Sequence, residues 1–553
     1  MVSVPVALDF VDLFEVPFTV PGSRFLVRRV GDVLQILHVR YETPLDECVA
    51  VSLRLGARAV GGVVAAGGHV RVGGVRIVIL DEEVRLTWGS DTSSVVTGTA
   101  PGVERSQGEH RLLLLGAGSR PSALDDAGFA RAADRVVEEW MGRVPATAAR
   151  RQEMARQCWW VLGSNIIRMR NPLGGGLPRE NVVVPSMRGY MALWQWDAYF
   201  IAVGLRHGDP ELAVRQLEIA FTPGPDGQLP DVIHDGGVLT SSRDLPPGDL
   251  AALEASGSPE LRGKVVPLTK PPLSAWAADK VLMALDADER LDRMAAWYPV
   301  LCASQAWWFR SENMRDGCPV YLHPYSSGLD DSPVFDKDLP VRTPDLPAYL
   351  AVQERVLARW RTTSESAGHP VESGVTVSPA DDPVWREATV RSALERLWDP
   401  RRRMFAPAGA SGRPLPRTIL SLVACFAGGI GGEQIAAIVD DIHDTRRFGA
   451  PWPLPTVSMD EQVFREQTMW RGPVWVDTNY LVAEGLESCG RAHEAADLRR
   501  RTLDLVEAAG GPVEYASARS GARCPAATTS FGWSAALYID LAVREAAEQQ
   551  SVG

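Results

Sequence analysis

The stretch SSGLDDSPVFD, Ser326 to Asp336, sets Asp330, Asp331 and Asp336 beside a Ser-Gly turn. Three kinds of loop crowd carboxylates in this way: one that holds calcium, one that is merely solvated, and one that presents a catalytic acid. Three other segments join tryptophan to charge. They are LWQWDAYF with Trp194, Trp196 and Asp197, MWRGPVWVDTNY with Trp470, Arg471, Trp475 and Asp477, and VEYASARSG followed by SFGWSAAL, with Glu514 and Trp533. Aromatic faces stack on the apolar faces of sugar rings, and carboxylates or Arg bind hydroxyls in pairs. Hydrolysing a glycoside takes two carboxyl groups, one to protonate the leaving oxygen and one to activate water or attack. A single Trp on an amphipathic helix is ordinarily core, but four such clusters in one chain are harder to assign to packing. For Asp331 and Asp336 the plain expectation is a solvated turn.

Other chemistries find no foothold. The chain has no HExxH, no GxSxG and no EF-hand loop. Gly257 to Lys264 resembles a phosphate loop, but five residues separate its glycines and Val265 stands where Ser or Thr would bind magnesium. The nine His show no pairing of the kind an epimerase would use, and a phosphorylase, which needs a basic phosphate pocket, would be told apart by phosphate dependence of turnover.

Two kinds of element must position the clusters. Residues 1–120 read as a β-rich domain, in which RFLVRRV, DVLQILHVRY, HVRVGGVRIVIL and EVRLTW are β-branched or alternating runs broken by Gly, Asp and Pro. A β-sandwich is the expected form. From residue 121 to 553 the period becomes helical. Phe129, Ala132, Ala133, Val136, Val137 and Trp140 share one stripe, and Met154, Cys158, Val161, Leu162 and Asn165 another. No β-rich region is expected to return. About twelve helices at roughly 35 residues each, loops included, would suit a closed ring of paired helices. Long Gly/Pro-rich connections run from about 222 to 275, 312 to 348 and 362 to 384. The first two read as walls of a cleft and the third as a surface connection.

The 553 residues, 45% hydrophobic and 23% charged, are globular in composition. A net charge of −12 with no Lys/Arg-rich stretch argues against a nucleic-acid partner. The N-terminal MVSVPVALDFVDLFEVPF lacks a basic region and holds acids within its apolar run, so it does not read as a signal peptide. No stretch reaches the roughly 20 apolar residues of a membrane span. Seven scattered cysteines without a CxxC argue against a disulfide framework or zinc knuckle. A cytoplasmic protein with no metal or cofactor is expected.

The ordered segments LWQWDAYFIAVGL at 193, KPPLSAWA at 270, SGLDDSP at 327, FGAPWPLPTVS at 448, WRGPVWVDTNYL at 470, and EYASARSG with SFGWSAAL from 514 resemble glycoside hydrolase family 63. Its mannosylglycerate and glucosylglycerate hydrolases are the nearer relatives and trehalase a more distant one. The resemblance runs from about Trp159 to Leu541. It implies an (α/α)6 barrel and an inverting, exo-acting α-glycosidase for an α-glucoside or α-mannoside, either an oligosaccharide or a small glycoside. It also implies Asp330 as general acid and Glu514 as general base. By the same resemblance Trp196, Asp197, Arg471 and Trp475 line the sugar subsite, and the clusters add Trp194, Asp331, Trp470 and Trp533 as substrate-binding candidates. Three positions depart from the pattern: Tyr325-Ser326 stands where Trp-Glu is common, Lys270 where Gln is frequent, and ASARSG follows the Glu-Tyr pair. Asp331 is often Asn in relatives. A phosphorylase or epimerase on a similar barrel, or a non-catalytic carbohydrate-binding protein, are the alternatives at this level, where sugar, linkage, aglycone and oligomeric state stay open.

Overall fold

The structure, a computed structural model, describes residues 5–55, 62–88, 93–95, 110–116, 118–169, 180–245, 247, 251, 264–310, 313–368 and 382–552. Most of the tip of the first long connection, including Gly257 of the phosphate-loop-like segment, lies outside the described residues, as do 369–381 of the third. The chain forms two compact units. One comprises Met1–Asn171, Gly176–Ala192 and Thr528–Gly553, the other Pro172–Gly175 and Leu193–Ala527.

In the first unit the four strand-like runs become strands. β1 (Phe25–Val30), β2 (Val33–His38), β3 (Val49–Arg54) and β8 (Ser93–Val95) make one sheet in that order. β4 (Val63–Ala66), β5 (His69–Val72), β6 (Val75–Leu80), β7 (Glu83–Trp88) and β9 (His110–Leu115) make a second. Every pair is antiparallel. The glycines between strands serve tight hairpins: Gly67 and Gly73 open the two-residue turns after β4 and β5 at φ of 53° and 56°, which suits the right-handed twist of the strands they join. Helix α1 (Asp126–Met141), capped by Asp125 onto the Gly128 N–H, lays Phe129, Ala130 and Ala133 against Val78 of β6. The Arg85 guanidinium covers the Phe129 ring at 4.1 Å. Helix α2 (Gln152–Ser164) packs on the last helix, Gly532–Val552. Trp140 and Trp159 stack at 4.6 Å, each indole N–H donating to the other's backbone carbonyl at 2.8 Å.

The second unit alternates two kinds of helix. All eleven residues of Gln195–Leu205 are buried, and so are all five of Ile419–Val423. Helices such as Pro210–Ala220, Gly432–His443 and Ala492–Ala508 instead keep one polar face. An apolar helix followed by an amphipathic one is the signature of an inner layer wrapped by an outer one. The described residues of this unit contain five successive helix pairs, the others beginning at Ser274, Asp345 and Val476. Outer helices open on Asp caps, Asp209, Asp286 and Asp382, with Pro in the first turn after two of them.

One expectation fails. Short antiparallel pairs do return within the helical region, among them Ile166–Met169 with Glu180–Val183 and a three-stranded set of Leu193–Trp194, Val232–His234 and Gly237–Leu239. Ladders of two to four residues are too brief to leave a period-two signal. Among the described residues no helix is long and apolar enough to cross a membrane, and all seven cysteines are free thiols.

Candidate active site

The acidic turn owes its shape to its neighbours. Pro324–Ser327 forms one 3₁₀ turn, capped by His323 Nδ1 accepting from the Tyr325 N–H at 3.1 Å. Ser327 Oγ donates to the Pro324 carbonyl and accepts from the Leu329 N–H. Gly328 follows at φ 73°, and a Cβ there would lie 2.3 Å from the Trp196 ring. Both the left-handed backbone and the aromatic lid therefore demand glycine. The chain leaves this turn with Asp330 and Asp331 pointing to different company.

Asp331 and Asp336 keep the exposure expected of a turn, Asp336 the more, but both are also paired with a distant segment. Asp331 Oδ1 accepts from the Trp470 N–H at 2.8 Å, and its Oδ2 lies 3.7 Å from Arg471 Nε. Asp336 takes the Arg471 fork through both oxygens. The two acids clamp the WRGP segment from across the unit, a pairing no local pattern could reveal. Arg471, expected to line the sugar subsite, has its guanidinium committed to these carboxylates.

The clamped segment starts an aromatic ladder. Trp196 lies 6.0 Å from Trp470, Trp470 stacks on Trp475 at 3.6 Å, and Trp475 stacks on Tyr515 at 4.8 Å. The ladder thus runs from the ring covering Gly328 to the residue beside Glu514. Glu514 sits on an extended segment held by reciprocal hydrogen bonds between Val474 and Ala516. Trp196, Trp470 and Trp475 are only 1–2% exposed. They stand behind the site surface instead of offering an open stacking face, whereas Trp194, at the start of the Gln195–Leu205 helix, is half-buried. Trp533 belongs to the first unit, where it packs edge-on against Phe531.

Electrostatics single out Asp330. Its side chain remains 32% exposed. Desolvation nevertheless pushes its pKa up to about 7, with Asp231, Asp331 and Glu514 adding to the rise and Lys270 opposing it. Asp197, in the first turn of its helix, is buried and raised well above the carboxylate range by desolvation, with Asp477 and Asp330 contributing. Asp477 is raised to about 7 by burial. A first-turn position favours the ionised form by less than burial disfavours it.

Sequence reasoning passed over Asp231 and His323 and noted Lys270 only as a departure. Lys270 Nζ lies 2.9 Å from Asp231 Oδ1, donates to the Tyr325 carbonyl at 2.9 Å, and stands 3.9 Å from Asp330 Oδ1. Burial disfavours its charge, yet Asp231, Asp330 and Asp197 outweigh that and raise its pKa. Desolvation and the nearby Lys270 lower His323 to about 3, so it stays neutral. Asp231 comes from the first long connection, which folds back so that Val232 pairs with Trp194. Thr269 of the same connection donates to Ser326 Oγ in the second, so the described parts of the two connections meet beside Asp330.

A buried aromatic ladder, a carboxyl poised near neutrality and a second carboxylate within its electrostatic reach fit glycoside chemistry. Residues 190–534 match the mannosylglycerate hydrolase MGH1-like glycoside hydrolase domain. The chain belongs to that family. Mannosylglycerate hydrolase of Thermus thermophilus is 30% identical over 65% of this chain and 96% of its own length. Mannosylglycerate hydrolase MGH1 of Selaginella moellendorffii is 25% identical over 64% of this chain and 81% of its own. The crystal structure of a family 63 mannosylglycerate hydrolase from Thermus thermophilus, in complex with Tris and D-glycerate, superposes with a TM-score of 0.56 at 24% identity. It covers 69% of this chain and 98% of that one. As a family 63 relative the protein is an enzyme, a glycoside hydrolase, and its helical region has the (α/α)6 fold. Membership sets aside the non-catalytic alternative.

Proposed function

We propose that the enzyme hydrolyses a small α-glycoside of the mannosylglycerate kind with inversion at the anomeric carbon, Asp330 serving as general acid and Glu514 as general base. The observation that carries this reading is Asp330 itself: partly open, raised to about 7, and electrostatically coupled to Glu514 in the same unit. A general acid works best with a pKa near the working pH. Asp330 gives its proton to the glycosidic oxygen as the bond from that oxygen to the anomeric carbon breaks. Glu514 takes a proton from the water that attacks the opposite face. Inversion calls for roughly 6.5–9.5 Å between the carboxyl groups, enough for that water. Among small glycosides, the acid-bearing aglycone named in the relatives' activities makes α-mannosylglycerate the first substrate to try, with α-glucosylglycerate beside it. Proton NMR of the first minutes of turnover tests the mechanism. The β-sugar should appear first and mutarotate afterwards, whereas initial α-sugar would rule out inversion.

A further inference from the structure

Lys270 occupies an unusual place for a lysine. It is 5% exposed, ion-paired with Asp231, and 3.9 Å from Asp330 Oδ1, an oxygen that is buried and has no hydrogen-bond partner among the described residues. That distance is too long for a hydrogen bond and short enough for a strong field. An ammonium has three donors. One donates to the Tyr325 carbonyl and the 2.9 Å ion pair faces Asp231, so these two neighbours do not use up the ammonium's donors.

We propose that Lys270 is a positioning residue for the proton donor: held in place by Asp231, it closes on Asp330 as that carboxyl gives up its proton and stabilises the carboxylate that forms. The proposal rests on Asp330 being the general acid. In the step, the Asp330 O–H bond breaks and an O–H bond to the leaving oxygen forms. The O–H electron pair stays on Asp330, and the pair of the broken glycosidic bond goes to the leaving oxygen. Lys270 loses no proton. The charge on Asp330 grows where, before the reaction, its Oδ1 makes no hydrogen bond, so the ammonium interacts more strongly with the transition state than with the resting carboxyl. The other groups facing Asp330 work in the opposite sense: Asp231 across Lys270, Asp331 on its own turn, Glu514, and Asp197 on the buried helix. His323 beside Lys270 is neutral, and Arg471 faces Asp331 and Asp336. Among these groups Lys270 is the cation that favours the ionised acid.

The test pairs Lys270→Met and Lys270→Arg with the double variant Lys270→Met/Asp231→Asn, which does not leave the Asp231 carboxylate buried without its cation should the single variant fold poorly. Two readouts are taken: the ¹³C carboxyl titration of Asp330 by NMR, and kcat against pH for α-mannosylglycerate and for a glycosyl fluoride. Lys270→Met should move the Asp330 titration and the alkaline limb upward by about one pH unit and cost about tenfold or more on the glycerate substrate, with little loss on the fluoride. The double variant should move both in the same direction by less, and Lys270→Arg should restore most of the rate. An Asp330 titration unmoved in Lys270→Met and in the double variant overturns the proposal whatever the enzyme turns over. So does an equal loss on both substrates. Failure of the acid assignment would register separately, as an Asp330→Asn variant without dependence on the leaving group.

Discussion

Asp330 and Asp331 are adjacent and identical in type, yet their oxygens meet different partners. Asp331 is spent on the Trp470 N–H and Arg471, whereas Asp330 keeps an oxygen free and an open face. Asp330→Asn should lower turnover of a poor leaving group by about 10²–10⁴-fold and affect an activated glycosyl fluoride far less, since fluoride departs with little proton assistance. Glu514→Gln should depress both, because water must be activated whatever leaves. Steady-state kinetics on the two substrates separates the roles. Asp331→Asn keeps an amide oxygen for the Trp470 N–H but removes a like charge beside the acid. The sign is then set: losing a nearby negative charge lowers the Asp330 pKa from about 7, so the alkaline limb moves to lower pH while most of the rate remains. If Asp331→Asn showed the leaving-group dependence instead, the proton donor would be the other member of the pair.

At the scale of elements, the turn and the ladder are one construction, since Trp196 both lids Gly328 and touches Trp470. Gly328→Ala should cost about 1–3 kcal/mol from the left-handed backbone, with the ring clash added. It should also lower kcat, because Asp330 rides on that turn. Urea unfolding and steady-state rates on the one variant would expose both losses. The same elements show how far the chain could be read from its letters. The strand runs, the α1 stripe and the order SGLDD, WRGPVW, EY were legible because each is local or ordered along the chain. The clamp of Asp331 and Asp336 on Arg471 was not, since the partners lie about 135 to 140 residues apart and a charge in a turn looks the same whether solvated or paired. Lys270 and Asp231 escaped for the same reason: a lone lysine or aspartate in a Gly/Pro-rich connection carries no period. Burial of the tryptophans was hidden too, because an aromatic that binds sugar and one that supports the site have the same neighbours in sequence.

Over the whole molecule, buried acids give stability an unusual slope. Asp197, Asp330 and Asp477 all hold protons more tightly when folded than an ordinary carboxylate, whose value is 3.8. The folded state therefore binds more protons than the unfolded one between that value and about 7, and stability falls as pH rises through this window. The urea midpoint should be higher near pH 5.5 than near pH 8, and Asp477→Asn should flatten the difference. A midpoint that climbs over that interval would contradict the protonated state of these groups. Among the described residues two stacked tryptophan pairs, Trp140 on Trp159 in the first unit and Trp470 on Trp475 in the second, are nearly parallel, each at 8°. Indoles so close share their excited states, so each pair should give an exciton couplet in circular dichroism. Because the further close tryptophan pairs, Trp196 with Trp470 and Trp307 with Trp308, also lie in the second unit, Trp159→Phe would silence the first unit's couplet, and the surviving signal would follow the melting of the second unit as a built-in optical label.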